Sequence, residues 1–322
     1  MSLETETVLD RRRLRRHLSL WRILAIAAVV IGIGVLMFGG ERDLALGERK
    51  QIARIVVEGL ITEDREQLKL LKRIAEAKHV AALIVFVNSP GGTTVGGEAL
   101  FEALRRVAEK KPVVAQFGTV AASAAYIAGL GTDHIVARGN TITGSVGVIA
   151  TWPEISQLLD KIGVKMHEVK SGPLKANPSP YQPMDEQGRR LVEQMVGEGQ
   201  RWFLELVAQR RNIVTTAVPG LEQGRIFSGR EARDLKLIDE LGGEAEAVRW
   251  LEEARNVAKN LQVKDWKPQR SFDWPLSDAL AGILARVLGG AVHEFTTGLA
   301  RDRTVGALAL DGLVSLWQPA NN

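Results

Sequence analysis

Residues 80–117 read VAALIVFVNSPGGTTVGGEALFEALRRVAEKKPVVAQF. The run VAALIVFVN (80–88) is apolar without alternation, the pattern of a strand buried on both faces of a parallel sheet. NSPGGTTVGG (88–97) is rich in glycine and turn residues. GGEALFEALRRVAEKK (96–111) then carries apolar residues at helical spacing. PVVAQF (112–117) is a second strand. Strand, helix, strand in under forty residues is a βαβ unit, and such a unit requires parallel strands.

The same alternation extends in both directions. IARIVVE (52–58) reads as a strand, and EDREQLKLLKRIAEAK (63–78) as a helix with Leu68, Leu71 and Ile74 on one face. AASAAYIAGL (121–130) is helical, HIVA (134–137) and GVIA (147–150) are short strands, and EISQLLDKI (154–162) is a helix. KMHEVK (165–170) alternates like a strand, and a long helix spans roughly 185–211. No repeat of the unit is visible. The fold class is α/β with βαβ units and a mostly parallel sheet. In such sheets sites form on loops at the carboxyl ends of the strands. That singles out 88–97, 118–126 and the loop SGPLKANPSP (171–180), which carries Lys175.

Composition narrows the function classes. The chain has 322 residues, 45% hydrophobic and 25% charged, with a net charge of +4. Six arginines stand against Glu4, Glu6 and Asp10 in the first forty residues, so the remainder is nearly balanced. Outside the N-terminus no basic patch points to nucleic acid. There is no cysteine, which excludes disulfides, thiolate catalysis and zinc–thiolate sites. His17, His79, His134, His167 and His293 are scattered, without metal-ligand spacing. No metal or cofactor is implied.

Ile23–Gly40 is an uncharged run of 18 residues, about 27 Å as a helix and close to a bilayer core. Arg11, Arg12, Arg13, Arg15, Arg16 and Arg22 precede it. The positive-inside rule keeps residues 1–22 in the cytoplasm and sends the chain after about residue 41 across the membrane. Residues before Glu41 lack a small-x-small cleavage site, which favours an anchor over a cleaved leader. The expected organisation is a basic segment (1–22), a single-pass anchor (23–40), a catalytic domain (50–258) and an amphipathic tail (270–322). The tail is read as membrane-lying, an oligomer contact or partly ordered.

Three loops carry candidate chemistry. In NSPGG, Gly91 and Gly92 let backbone N–H groups face a developing oxyanion, though such runs are commonly plain turns. In AASAAY, Ser123 is either a helix N-cap or a nucleophile. A nucleophile needs a base, and the histidines offer none in a suitable loop. A lysine serves when desolvation favours its neutral amine, and Lys175 sits in a stiff proline-rich loop. Ser145, in TGSVGVI (143–149), is placed to orient that amine or is a turn serine.

In this order, VNSPGG, ASAAYIA, TGSVGVI and SGPLKANPSP, with GRIFSGREARDLKLIDELGG (224–243), resemble the signal peptide peptidase A family of membrane-bound serine proteases. The resemblance covers roughly 50–255 and the anchor, and matches the family's short, single-copy form. It implies a Clp protease/crotonase-like fold, Ser123 as nucleophile, Lys175 as general base, and Ser145 hydrogen-bonded to the lysine. It implies Gly91 or Gly92 as one oxyanion donor and Ala124 as the other. Ala124-Ala125 stand where paired glycines are common in the family. The resemblance further implies a ring-like homo-oligomer, with serine and lysine in one chain or on neighbours. Its substrates would be remnant signal peptides and other unfolded apolar peptides, met beside membrane lipid on the extracytoplasmic side of the inner membrane. Two alternatives are a crotonase-type acyl-CoA enzyme and a non-enzymatic membrane scaffold with a decayed site.

Overall fold

The computed structural model describes residues 21, 49–268 and 314–316. The expected anchor (23–40) and most of the tail from 270 onward lie outside these residues. Among the described residues no helix is long and apolar enough to cross a membrane.

The described residues from Lys50 onward form one compact unit around a nine-stranded sheet. In chain order the elements are β1 (Gln51–Ile61), α1 (Arg65–Glu76), β2 (Val80–Thr93), α2 (Thr94–Ala108), β3 (Val113–Ala122) and α3 (Ala124–Leu130). They continue with β4 (His134–Ala137), β5 (Ile142–Gly144), α4 (Ser156–Lys161), α5 (Glu186–Arg211), β6 (Ile226–Ser228) and α6 (Gly229–Asp234). β7 (Glu240–Leu241), α7 (Glu244–Ala254), β8 (Gln262–Asp265) and β9 (Val314–Leu316) complete the set. The main path is β6-β5-β3-β2-β1-β8, with β4 on β3, β7 on β4 and β9 on β2. Among the described residues only the β5–β6 and β2–β9 pairings are antiparallel. The mostly parallel α/β sheet expected from sequence is therefore present.

The period of two along a strand explains the layers. Ala53, Ile55 and Val57 of β1 point to one face with Leu83, Val85 and Val87 of β2 and Val113, Ala115 and Phe117 of β3. That face receives Leu70, Leu71 and Ile74 of α1, Leu100 and Leu104 of α2, most of α3, and Phe203 and Val207 of α5. Ile52, Ala82, Ile84 and Val114 point the other way, onto Ala247 and Leu251 of α7. Each fully buried aliphatic side chain contributes about 1.5–3 kcal/mol, so this double-sided core dominates stability. Arg54 ties the second face together by pairing with Asp265 at 2.6 Å and with Glu244. That guanidinium holds the Asp265 carboxyl below the usual carboxylate range.

Helix limits reflect local chemistry. Asp64 caps α1, accepting from the N–H groups of Glu66 and Gln67. Thr93 caps α2 through Gly96 N–H, and Asp185 caps α5 through Gly188 N–H. Asn212 ends α5 in the left-handed conformation.

Three sequence expectations need correction. β2 runs on through Thr93, so SPGG is strand rather than turn, because β1 pairs with it as far as Ile61↔Gly92. The strand near 147–150 lies earlier, at Ile142–Gly144, where β3 and β6 offer edges. KMHEVK is not a strand: no sheet edge meets it, and Val169 is wholly exposed.

Candidate active site

Gly91, Gly92, Ser123, Ala124 and Ser145 sit at or just past the ends of β2, β3 and β5, which adjoin in the sheet. β2 and β3 pair regularly from Leu83↔Val113 to Val87↔Phe117, then jump to Ser89↔Ala121. β3 therefore carries a bulge at 118–120. Asn88 closes it: its Oδ1 accepts from the N–H groups of Thr119 at 3.1 Å and Val120 at 3.3 Å. A bulge re-aims the strand beyond it. Here that is Ala121-Ala122-Ser123, the approach to α3.

Ser123 has φ 59° and ψ −122°. This lies outside the ordinary regions for a residue with a Cβ and costs on the order of 1–3 kcal/mol. Ser123 stands at the N-cap position of α3, yet its side chain does not cap that helix. The N-cap reading is thus excluded, and the strain needs another reason.

The surroundings over-determine that strained backbone. Ser123 N–H donates to Gly144 O at 2.9 Å, and Ser123 O accepts from Ile127 N–H at 3.0 Å. All seven residues of α3 are buried. Tyr126 Oη donates to Leu237 O at 2.7 Å. Arg210 of α5 donates to Leu130 O and Thr132 O, both at 2.8 Å, satisfying carbonyls at the far end of α3. Burial pushes the Tyr126 phenol up, well above the ordinary tyrosine range. The packing is also close: a Cβ on Gly97 would lie 3.1 Å from Ala124 Cβ, and one on Gly129 only 2.4 Å from the Phe117 ring. The small residues around Ser123 are what let α2 and α3 approach.

Ser145 directly succeeds Gly144, and Gly144 pairs with Ala122. Ser123 and Ser145 therefore lie one residue past adjacent partners on neighbouring parallel strands. Ser145 has φ 49°, and its N–H donates to Arg225 O at 2.9 Å. Thr143 Oγ1 donates to Ala121 O at 2.7 Å and fastens β5 to β3 beside the serines.

The glycine pair is fixed for two different reasons. Gly91 has φ 115°, which only glycine adopts without strain. A Cβ on Gly92 would fall 1.9 Å from Ile61 O, inside the backbone of β1. Buried Ser89 organises the pair: its Oγ donates to Gly59 O at 2.5 Å and accepts from Gly91 N–H at 3.0 Å. Gly91 N–H is thus engaged with Ser89. Ala124 N–H opens α3, where the first N–H groups have no intrahelical acceptor.

Lys175 lies apart in character. It is exposed, on a loop set by Lys175 N–H to Gly172 O at 3.1 Å and Asn177 N–H to Leu174 O at 3.3 Å. Ala176 takes φ 57°, and the Asn177–Pro178 bond is cis. Glu168 pairs with Lys170 at 2.7 Å and accepts from Ser179 Oγ at 3.3 Å, which keeps its carboxyl below the usual range. The described residues of this chain do not give Lys175 the desolvation that a lysine base requires.

His79 stacks on Trp266 and His134 on Trp250. Among the described residues no group of three or more acidic or histidine side chains is placed to hold a metal ion. Sequence reasoning passed over Asn88, Ser89 and Thr143, which shape the site through backbone contacts. Their signal was polar residues inside or beside apolar strand runs.

Fold and site together define a parallel α/β protein that presents a strained serine, a second serine and a glycine pair at the ends of adjoining strands. Comparison with known proteins narrows the class. Residues 105–258 match the model of peptidase family S49. The chain is 38% identical over 204 residues to slr0021 of Synechocystis sp., described as a candidate protease, covering 63% of this chain and 73% of that one. It is 32% identical over 245 residues to a candidate signal peptide peptidase, SppA, of Enterococcus faecium, covering 70% and 71%. It is 29% identical over 276 residues to the chloroplastic serine protease SPPA of Arabidopsis thaliana, covering 80% of this chain and 40% of that one. The chain belongs to the signal peptide peptidase A family, peptidase family S49.

Proposed function

We propose that the protein is a membrane-anchored serine endopeptidase on a Clp protease/crotonase-like framework, with Ser123 as nucleophile and Lys175 as general base. The observation that carries this reading is the backbone of Ser123, held at φ 59° and ψ −122° although its side chain caps no helix. Strain maintained by so many surrounding contacts marks a side chain presented for chemistry.

In this mechanism Lys175 takes the Ser123 Oγ proton as Oγ attacks a peptide carbonyl. Gly92 N–H and Ala124 N–H hold the tetrahedral oxyanion, since Gly91 N–H is engaged by Ser89. The intermediate collapses as Lys175 returns its proton to the leaving amine. Water, deprotonated by the same lysine, then releases the acyl group from Ser123. Ser145 orients the lysine ammonium. The amine must be desolvated, and a second copy of the chain supplies that burial in a ring-like homo-oligomer. The lysine segment supports this: Leu158, Ile162, Val164, Met166, Val169 and Leu174 are all exposed on it. Exposed apolar side chains in such number mark an interaction surface.

The apolar run at 23–40 anchors the domain on the extracytoplasmic side of the inner membrane, with the N-terminus in the cytoplasm. The substrates are unfolded apolar peptides, remnant signal peptides among them, which gather at that membrane. The test is hydrolysis of such peptides by detergent-solubilised protein, wild type beside Ser123→Ala and Lys175→Ala. Both variants should assemble and lose activity, and a serine-directed acylating probe should label Ser123. Retention of most activity by Lys175→Ala would remove the lysine from the mechanism.

A further inference from the structure

Parallel pairing puts the amino ends of neighbouring strands on one edge of a sheet, whatever their separation in sequence. β8, β1, β2, β3 and β4 lie side by side, and every pairing among them is parallel. Gln51 of β1 is level with Val80 of β2 and with Gln262 of β8. Lys50 leads into β1, Lys78 into β2, Lys110 and Lys111 into β3, and Arg255 and Lys259 into β8. The acids in these connections are Glu109 before β3 and Asp133 before β4. The last turns of α1, α2 and α7 add Arg73, Arg105 and Arg106 against Glu76, Glu252 and Glu253, which leaves the positive excess unchanged. The carboxyl edge has no such excess: Glu63 and Asp64 follow β1, Arg138 follows β4 and Lys267 follows β8.

The structure also separates the cations that are in use from those that are not. Lys111 turns inward, where its Nζ donates to Ile74 O at 2.7 Å and to Ala77 O. Arg255 pairs with Asp133 at 3.3 Å. Lys50, Lys78, Lys110 and Lys259 are exposed and form no ion pair among the described residues. Strands are about 4.8 Å apart, so the amino ends of β8, β1, β2 and β3 fall within about 15 Å of one another across the sheet. No local window of sequence shows this patch, because Lys50, Lys78 and Lys110 are spaced about thirty residues apart.

The chain length before β1 says what such a patch meets. The apolar run ends at Gly40, and Lys50 is ten residues further on. Ten residues reach at most about 36 Å when fully extended. An anchor at 23–40 therefore keeps Lys50 close to a lipid surface. We propose that the amino edge of the sheet, through Lys50, Lys78, Lys110 and Lys259, is an electrostatic docking surface for the anionic phospholipid headgroups of the membrane that holds the anchor. The inference rests on the reading of 23–40 as an anchor. Lysines near an anionic leaflet are drawn to it, and the attraction fades within a Debye length. The edge that carries Ser123 is the opposite one. Ten residues separate Val113, which opens β3, from Ser123, roughly 30 Å along a strand. Docking by the amino edge thus presents Ser123 on the side away from the bilayer, and a peptide has to leave the headgroup region to reach it.

The test uses the full-length protein in vesicles of phosphatidylcholine alone and of phosphatidylcholine with about 30% phosphatidylglycerol. The chain has no cysteine, so Ala258→Cys gives a single fluorophore site on the amino edge and Glu63→Cys one on the carboxyl edge; both positions are exposed. Quenching by dye-labelled headgroups is then read, which needs no catalysis. At about 0.05 M salt the label at 258 should be quenched at least about twofold more in the anionic vesicles, and the excess should vanish at about 0.5 M salt. The label at 63 should not respond to lipid charge. Combining Lys50→Ser, Lys78→Ser and Lys110→Ser should abolish the excess; these side chains are exposed, so the fold is retained. Equal quenching at 258 in the two lipids would overturn the proposal, as would an excess that survives in the triple variant or appears at 63 instead. Flotation separates the two readings. Protein that floats only with anionic vesicles, and loses this in the triple variant, would defeat the anchor and leave the docking surface standing; protein that floats with neither would defeat both.

Discussion

The two halves of the candidate site are built by opposite means. Ser123 sits at 1% exposure at the head of a helix whose residues are all buried, locked by Tyr126, Arg210 and Gly144. Lys175 sits on a segment, 152–182, in which Ser179 is the one buried residue and apolar side chains face outward. A nucleophile held in a strained backbone has to be over-determined by its own chain, because the strain is relieved the moment a neighbour moves. A base that works only when desolvated can be completed from outside. On the proposed mechanism, the serine side supplies rigidity and the lysine side supplies assembly.

The largest effect should come from breaking the serine side at Gly92. A Cβ there meets the backbone of Ile61, which has no flexible end to give way. Gly92→Ala should lose more than about 4 kcal/mol in urea unfolding, or fail to fold. Tyr126→Phe should cost about 1–3 kcal/mol, since it leaves Leu237 O buried without its donor. The lysine side should answer differently. Val169→Ser with Leu174→Ser should change monomer stability by no more than about 0.5 kcal/mol, yet lower the assembled mass in light scattering and reduce hydrolysis.

Two pH predictions sharpen the contrast further. The folded-state pKa of Tyr126 is raised by burial, so its stabilising contribution is full below the ordinary tyrosine range and is lost as pH rises, because the unfolded chain ionises first. Thermal unfolding should fall off above about pH 10, and Tyr126→Phe should flatten that slope. The smallest effect belongs to Glu246, whose carboxylate accepts from Gly243 N–H at 2.6 Å and is held below its usual range. Its contribution is present above the ordinary glutamate range and fades as pH falls through the lowered one. Glu246→Gln should therefore differ from wild type near neutral pH and converge with it in acid.

The sequence revealed most where burial leaves a continuous signature. VAALIVFVN and PVVAQF are apolar because both faces of their strands are covered, and α5 is legible as a long helix over roughly 185–211. SPGG misled because proline and glycine signal turns locally, whereas here a partner strand keeps them in the sheet. KMHEVK misled in reverse, since alternation predicts a strand only where an edge exists to pair with it. At the site, motif and order pointed to Ser123, Ser145 and Lys175. The backbone angle of Ser123, the bulge held by Asn88 and the exposure of Lys175 depend on contacts far apart in sequence, which no local pattern carries. β9 is the extreme case, pairing residues more than two hundred positions apart.

The most direct test mixes two inactive variants. Ser123→Ala and Lys175→Ala proteins are prepared separately, co-assembled in detergent, and assayed on an apolar peptide. If the lysine of one copy completes the serine of its neighbour, mixed assemblies regain activity that neither variant shows alone. If mixed assemblies form and remain as inactive as the parents, each chain must supply both residues to its own site, and the division between a self-contained serine side and a neighbour-completed lysine side is wrong.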